Sequence, residues 1–186
     1  LKTAMKIIES QLNGVLVFEP KMFDDPRGFF FESFRSEFLI DNGINYPFVQ
    51  DNISKSCKNT VRGLHYQVGD FAQGKLCQVI LGEVLDVTVD IRFGSPTFGK
   101  HFSILLSDEN HHQLWIPAGF AHGFSVLSET AIFHYKCTSY YSKKDERAII
   151  YNDKTLNINW RVENPIVSEK DLKSQRFEEI EKDFLF

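Results

Sequence analysis

Two glycine-punctuated segments of this chain each contain a histidine and lie among strand-like runs of alternating apolar and polar residues. Residues 61–67 read VRGLHYQ and include His65, and residues 117–123 read PAGFAHG and include His122. An imidazole has an ordinary pKa of about 6.5, so it can accept or return a proton near neutral pH, or bind a metal ion. His65 and His122 are therefore the first candidates for either chemistry.

Metal-binding cupin barrels carry His-x-His in their first motif and Pro-x-Gly-x-x-His in their second. Residues 117–123 resemble the second motif, but Gln67 stands where the second histidine of the first motif would be. The chain thus resembles a cupin barrel that has lost its metal ligands, and we expect no metal and chemistry by side chains alone. A metal-dependent cupin oxygenase or isomerase and a non-catalytic sugar-binding module are the alternatives.

The alternation of apolar and polar residues predicts the strands that would position these histidines. A strand is expected at 83–92, where apolar residues at odd positions alternate with polar residues at even positions from Leu85 to Arg92, which is typical of a half-buried strand. Gly82 and Glu83 predict a hairpin turn before it. Strands of this kind, separated by Gly, Pro and Asn or Asp turns, favour an all-β fold, a cupin-type jelly-roll barrel with short peripheral helices. The other strands are expected at 76–81, 101–107, 114–116, 123–127 and 131–138.

Two helices are expected outside the barrel. The first spans 32–42 and is closed by Gly43, and the second spans 168–183. Ser168 and Asp171 at the start of the second helix resemble a capping box. No repeat or low-complexity linker divides the chain, so we interpret residues 1–186 as a single domain; residues 1–4, which precede Met5, carry no weight.

Alternation also predicts which side chains face the interior of the barrel. Tyr135 falls on the apolar face of strand 131–137 and should point inward. Two further sets share a face by the same rule, namely Lys75 with Cys77 and Val79, and His65 with Val61, Gly63 and Gln67.

These assignments bring four titratable side chains, His65, Lys75, Tyr135 and His122, into one interior. Each of them taken alone is compatible with ordinary packing and a satisfied hydrogen bond. Together they are harder to explain in that way, because each buried polar group without a partner costs about 1–3 kcal/mol. A buried ammonium group in particular predicts an anionic or enolising ligand.

The composition excludes several classes of function. With 186 residues, of which 42% are hydrophobic, the chain can bury a substantial core in one domain. A net charge of −4 gives no electrostatic case for binding nucleic acid or an anionic membrane, so neither is expected as a partner. Three cysteines without CxxC spacing predict reduced thiols in a cytoplasmic protein.

Ordered motifs along nearly the whole chain, from Phe18 to Asp171, resemble those of the dTDP-4-dehydrorhamnose 3,5-epimerases. In that family the enzyme works without metal or cofactor, as a homodimer whose N-terminal segment contributes to the partner's site. The resemblance therefore implies a homodimer and a dTDP-linked 4-keto-6-deoxy sugar as the ligand. The matching motifs are DPRGFFFES at 25–33, QDN at 50–52, VRGLHYQ at 61–67, SPTFG at 95–99, QLWIPAGFAHGF at 113–124 and YK at 135–136.

The resemblance also implies a role for each matching residue. His65 would be the base, oriented by Asp171, while Tyr135 would deliver a proton to the opposite face of the sugar. Lys75 would stabilise the enolate oxygen. Tyr141 would stack on the thymine. The remaining substrate contacts would come from Gln50, Asn52, Arg62, His122, Glu146 and Lys170 of the same chain, and from Arg27, Phe30 and Glu32 across the dimer.

The implied reaction is epimerisation at C3 and C5 of dTDP-4-dehydro-6-deoxy-D-glucose. A proton next to a ketone can be removed when a base of near-neutral pKa and a cation for the oxygen are present, and inversion needs an acid on the other face. The nearest alternative is an epimerase that acts on one carbon only, or on a related nucleotide-linked 4-keto sugar. Two departures from the family pattern, Ala148 and Arg161, affect no proposed role.

Overall fold

A computed structural model describes residues 5–186 as an antiparallel β structure with very little helix. The first seven strands are β1 (Met5–Glu9), β2 (Leu16–Pro20), β3 (Phe23–Asp25), β4 (Gly28–Phe30), β5 (Gln50–Cys57), β6 (Val61–Gln67) and β7 (Lys75–Leu81). The remaining strands are β8 (Glu83–Asp90), β9 (His101–Ser107), β10 (Gln113–Ile116), β11 (Phe120–Val126), β12 (Thr130–Cys137) and β13 (Glu146–Ala148). The helical segments are α1 (Ser36–Asp41), α2 (Glu169–Leu172) and the 3₁₀ turns Gly69–Phe71 and Phe177–Glu179.

Two large sheets pack face to face as a jelly roll, which confirms the expected fold class. One has six strands in the order β1-β2-β10-β7-β12-β5, and the other has five in the order β13-β6-β11-β8-β9. Strands β3 and β4 form a separate two-stranded hairpin. No helix of residues 5–186 has the length and apolar character needed to cross a membrane.

The core has three layers. The inner layer lies between the sheets and joins side chains of β2, β7, β10 and β12 to those of β8, β9 and β11. A second layer covers the outer face of the five-stranded sheet, where residues of segment 149–180 pack on β6, β8 and β11. The third packs α1 against the outer face of β2, β7 and β10. Both sheets are therefore buried on two sides over much of their area.

The expectation of a half-buried strand at 83–92 is wrong, because β8 is buried on both of its faces. The side chains of Leu85, Val87 and Val89 on β8 face outward into the layer formed with segment 149–180. The polar side chains of Asp86, Thr88 and Asp90 share the inward face with Val84, and all three are fully buried. The period of two is as expected, but the polar face points into the barrel instead of into solvent.

The two expected helices are shorter in the structure. The helix predicted over 32–42 is confined to Ser36–Asp41, and the one predicted over 168–183 is a single turn, Glu169–Leu172, followed by a 3₁₀ turn. The Ser168 side chain does accept a hydrogen bond from the Asp171 N–H. The second helix stops early because Phe177 and Ile180 pack on the outer face of the barrel, and this tertiary contact outweighs the local helical pattern.

The expectation that His65 shares a face with Val61 is wrong. Val61 and Leu64 both belong to the outer layer, whereas His65 lines the cavity described below. The pairing of β6 with β11 explains this, because Arg62 lies opposite Phe124 and His65 lies opposite His122. One extra residue on β6 at this bulge moves every later side chain to the other face.

Gly63 sits in this bulge, where β6 and β11 approach most closely. A Cβ atom added at Gly63 would lie 2.5 Å from the Cα of Gly123, and the φ angle of Gly63 is +125°. Gly43 also has a positive φ, +82°, but a Cβ added there would meet nothing within 4 Å. A side chain at either glycine would strain the backbone, but only at Gly63 would it also collide with the neighbouring strand. Comparing the two positions therefore isolates the cost of the collision.

We expect Gly63→Ala to lower the free energy of unfolding by about 1–3 kcal/mol more than Gly43→Ala, because only the former forces two strands apart. Urea denaturation followed by tryptophan fluorescence measures both. Equal losses for the two variants would show that the close approach at Gly63 carries no additional stability.

Candidate active site

An open cavity of about 230 Å³ lies between the two sheets, and both sheets contribute to its walls. Of the four residues proposed for catalysis, His65, Lys75 and Tyr135 line this cavity, and Asp171 does not. The lining residues are Gln50, Asn52, His65, Tyr66, Gln67, Gln73, Lys75, Tyr135, Tyr141 and Glu146.

His65 on β6 forms a hydrogen-bonded pair with Asp171. The distance from His65 Nε2 to Asp171 Oδ1 is 2.8 Å, and the Gly63 N–H donates to Asp171 Oδ2 at 3.4 Å. Burial tends to raise the pKa of Asp171, but the hydrogen bond and electrostatic attraction of His65, together with smaller hydrogen bonds from neighbouring residues, outweigh it and hold this pKa below the ordinary value. An ionised carboxylate on one ring nitrogen orients the imidazole and leaves Nδ1 for other partners.

Tyr135 lies on β12, in the sheet opposite to the one that carries His65. Burial, with smaller contributions from Cys137 and Cys77, raises the pKa of Tyr135 to about 12, so its phenol is neutral near pH 7. Lys75 on β7 places its Nζ 6.0 Å from the centre of the Tyr135 ring. As expected, these two side chains line one cavity with His65, and they do so from the facing sheet.

Three side chains form a hydrogen-bonded group at the rim of the cavity. The Tyr141 hydroxyl donates to Glu146 Oε2 at 2.9 Å, and Lys170 Nζ donates to the same oxygen at 2.5 Å. Burial would raise the pKa of Glu146, but the bonds from Lys170 and Tyr141 hold it below its ordinary value. The same carboxylate raises the pKa of Tyr141. These three residues thus form one ionic group on the open side of the site.

Gln50 and Asn52 extend from β5 into the same cavity. Gln50 Nε2 donates to Asn52 Oδ1 at 3.1 Å, and the Asn52 amide is 3.6 Å from Cys137 Sγ. The amides are therefore linked to one another beside the β12 wall.

A second cavity of about 500 Å³ adjoins the first, and His65 lines both. Arg62, Lys55 and Lys170 supply its positive charge, and Asp171 is on its wall. The Arg62 guanidinium is held by a 3.0 Å hydrogen bond to the Ser56 hydroxyl. An anionic group placed here would lie directly beside the His65–Asp171 pair.

His122 differs from the other expected site residues. It is only 6% exposed, its Nε2 is 2.9 Å from Asp86 Oδ1, and it does not line the cavity that holds His65. Ligand atoms of Cys77, Asp86 and His122 lie within 4.8 Å of one another. Burial raises the pKa of the Cys77 thiol well above its ordinary value.

Arg27, Phe30 and Glu32 lie away from the cavity of their own chain. Arg27 has 90% of its side chain exposed and pairs with Asp25, while Glu32 pairs with Arg35. Phe30 is 69% exposed at the end of hairpin β3–β4. An exposed aromatic ring and an exposed guanidinium on one hairpin are suited to contact another molecule.

Three cavity residues were not predicted as site residues, namely Tyr66, Gln67 and Gln73. Gln67 is predicted to share a face with His65 and to stand in the position of a missing metal ligand, but no role in the site is predicted for it. Its position two residues after His65 on the same strand was the signal that it faces the cavity, because residues i and i+2 of a strand share a face.

Asp171→Asn removes the carboxylate that binds His65 and the Gly63 N–H. Because the pKa of folded Asp171 lies below its ordinary 3.8, the carboxylate stabilises the fold above that pH, and this contribution is lost as the pH falls through the folded pKa. We expect the stability advantage of the unchanged protein over Asp171→Asn to be largest near about pH 6 and to shrink below about pH 4.

Urea denaturation at a series of pH values measures this difference. Asp24→Asn, at an exposed carboxylate on β3, is the control and should show no comparable trend. An advantage over Asp171→Asn that stays constant down to about pH 3 would contradict the assignment of a stabilising ionised carboxylate.

Comparisons with known proteins agree with the motifs. The sequence model of the family described as dTDP-4-dehydrorhamnose 3,5-epimerase matches residues 9–179. A protein of that name from Shigella flexneri is 54% identical over 174 residues, which cover 93% of this chain and 96% of the relative.

Solved structures are similar over the same extent. The dTDP-6-deoxy-D-glucose-3,5-epimerase of Legionella pneumophila, in complex with dTDP-4-keto-L-rhamnose, superposes with a TM-score of 0.92 at 49% identity, covering 95% of each chain. ChmJ, a 3'-monoepimerase from Streptomyces bikiniensis in complex with dTDP-quinovose, gives 0.86 at 31% identity, covering 91% of this chain and 86% of that one. The chain belongs to the dTDP-4-dehydrorhamnose 3,5-epimerase family.

Proposed function

We propose that this protein converts dTDP-4-dehydro-6-deoxy-D-glucose to dTDP-4-dehydro-L-rhamnose by inverting C3 and C5. The observation that carries the proposal is the placement of His65 and Tyr135 on facing sheets of one cavity, with Lys75 beside Tyr135. A base and an acid on opposite sides of a sugar ring are what inversion at carbon requires.

Each inversion begins when His65 removes the proton from the carbon next to the C4 ketone. The electron pair of the C–H bond forms a double bond to C4, the π electrons of the ketone move to its oxygen, and the Lys75 ammonium stabilises the enolate that forms. Tyr135 then donates its phenolic proton to the opposite face of the same carbon. The imidazolium releases its proton to water and the phenolate regains one, which restores the starting state before the second carbon reacts.

The high pKa of Tyr135 suits this cycle. At about 12 it keeps the phenol protonated between turnovers, so a proton is available whenever an enolate forms. Asp171 supports the positive charge on His65 during the step, because its carboxylate is held 2.8 Å from the ring nitrogen.

The nucleotide end of the substrate is held by charge and by stacking. Arg62 and Lys170 line the cavity that adjoins His65, so they can bind the pyrophosphate despite the net charge of −4 on the chain. Tyr141 is assigned to stack on the thymine, and its 53% exposure at the rim supports this role. The other contacts are assigned to Gln50, Asn52 and Glu146, which line the cavity. His122, buried against Asp86 outside the cavity, is withdrawn as a direct contact to the substrate.

The reaction needs no metal ion or other cofactor, because the base, the cation for the oxygen and the opposing acid are all side chains. The site is completed in a homodimer, where Arg27, Phe30 and Glu32 of one subunit contact the nucleotide bound to the other. The exposed positions of Arg27 and Phe30 support this assignment. We assign the enzyme to the cytoplasm because its three cysteines are predicted to be reduced thiols, and we expect neither nucleic acid nor a membrane as a partner.

A single-carbon epimerase is the second candidate. The similarity to a 3'-monoepimerase at 31% identity shows that closely related folds carry that activity. Turnover of dTDP-4-dehydro-6-deoxy-D-glucose in D₂O, followed by NMR, counts the carbons that exchange and separates the two candidates. Exchange at both C3 and C5, with a product that a coupled reductase accepts, supports double epimerisation.

His65→Asn should abolish solvent deuterium incorporation at both carbons, because it removes the base, and turnover should fall by about 10²–10⁴-fold. Tyr135→Phe should retain exchange but lose inversion, because His65 can still return a deuteron to the original face. The measurement is NMR of the sugar together with the coupled assay. His134→Asn is the matched control, since His134 bonds Gln78 and Asp51 outside the cavity. Exchange that survives in His65→Asn would remove His65 as the base.

The dimer assignment predicts that two inactive variants complement one another. In a heterodimer purified with two different tags, one subunit carries His65→Asn and the other Arg27→Ala. If Arg27 reaches across, one site keeps both intact groups, and the heterodimer should show about half of the activity of the unchanged dimer. If Arg27 serves its own subunit, both sites are defective and the heterodimer stays inactive. Failure of any dimer to form at micromolar concentration would contradict the assignment as well.

A further inference from the structure

The loop between β12 and β13 carries Tyr141, and glutamine side chains bind four successive residues of its backbone. We propose that Gln67 is a positioning residue that sets the place of Tyr141 at the mouth of the site. We call Gln50, Gln67 and Gln73 together the glutamine clamp. The clamp bonds run from Gln73 Nε2 to Ser139 O at 2.7 Å, Gln67 Nε2 to Tyr140 O at 3.0 Å, Tyr141 N to Gln50 Oε1 at 2.9 Å, and Ser142 N to Gln67 Oε1 at 2.7 Å.

Gln67 is the centre of the clamp because all of its hydrogen-bonding groups are used. Besides the two bonds to the loop, its Nε2 donates to Phe71 O at 2.7 Å. The residue is 4% exposed and lies two positions after His65 on β6. One buried amide thus joins the strand of the catalytic base to the loop that follows β12.

Tyr141 depends on such a constraint because its own side chain has little packing. The residue is 53% exposed, and its described polar contact is the hydroxyl bond to Glu146. The position of an exposed ring follows from the backbone that carries it. By holding the carbonyl before Tyr141 and the N–H after it, Gln67 fixes where the ring stands relative to His65.

This role also explains the residue type at position 67. The loop and Phe71 present two carbonyl acceptors and one N–H donor to this side chain. A primary amide offers two donors and an acceptor, whereas a neutral imidazole offers one of each. Glutamine therefore satisfies all three groups, and histidine would leave one unpaired at a buried position.

The inference rests on the proposed role of Tyr141 at the nucleotide end. The test variant is Gln67→Met, which keeps the side-chain length and removes every hydrogen bond of the amide. Gln175→Met is the matched control, because Gln175 bonds the Tyr66 hydroxyl at 3.4 Å and does not line the cavity. We expect Gln67→Met to raise KM and the Kd of dTDP by about tenfold while kcat changes by less than about twofold, and Gln175→Met to change neither.

A double-mutant cycle with Tyr141→Ala identifies the path of the effect. If Gln67 acts through Tyr141, Gln67→Met should cause no further loss of dTDP affinity once the ring is absent. An equal loss in both backgrounds overturns the proposal, as does a fall in kcat with unchanged KM.

Hydrogen–deuterium exchange of segment 139–145 separates this proposal from the proposed function. The amides of Tyr141 and Ser142 should exchange faster in Gln67→Met than in Gln175→Met, whether or not the protein turns over the sugar. Unaltered protection overturns the clamp, whereas faster exchange in a protein that never binds dTDP overturns the assigned nucleotide site alone. If Gln67→Met does not fold, Gln73→Met, which removes the bond to Ser139, decides by the same criteria.

Discussion

The hydrogen bond between His65 and Asp171 joins two parts of the chain that are 106 residues apart. His65 belongs to a barrel strand, and Asp171 belongs to the C-terminal segment that covers the outer face of the five-stranded sheet. The orientation of the proposed base therefore depends on the docking of this outer layer. Asp171 also helps to start α2, where its N–H binds the Ser168 hydroxyl, so one residue serves both the local turn and the cavity.

The barrel strand β8 carries two fully buried carboxylates, Asp86 and Asp90, and each of them has hydrogen-bonding partners. Asp90 accepts hydrogen bonds from Arg92, Ser95 and Thr97, which gives the Ser-Pro-Thr motif a structural role far from the proposed chemistry. Asp86 is matched in the same way by His122. Because these carboxylates are paired, the cavity next to them can be polar without destabilising the fold. His65 and Tyr135 stand on facing sheets of this cavity, which is the arrangement that inversion needs.

Much of the fold could be predicted from the sequence because a strand has a strict period of two. The strand at 101–107 and the inward face of Tyr135 and Lys75 followed directly from that pattern. His65 was also predicted to face the interior, but on the ground that it shares a face with Val61. That ground is wrong, because the bulge at Gly63 puts the two side chains on opposite faces of the sheet. The helix predicted from Ser168 failed because the packing of Phe177 on the barrel is not encoded in local propensity.

The sequence by itself determined the all-β class, the presence of Gln67 in place of the second histidine of the first cupin motif, and the identity of the groups for acid–base chemistry. These follow from residue types and from periodicity, which are local properties. Only the tertiary structure decided that Asp171 reaches His65, that His122 is held by Asp86 in the interior, and that Gln67 binds the loop of Tyr141. Each of these contacts joins residues distant in sequence, and their meeting depends on how the two sheets and the C-terminal segment pack.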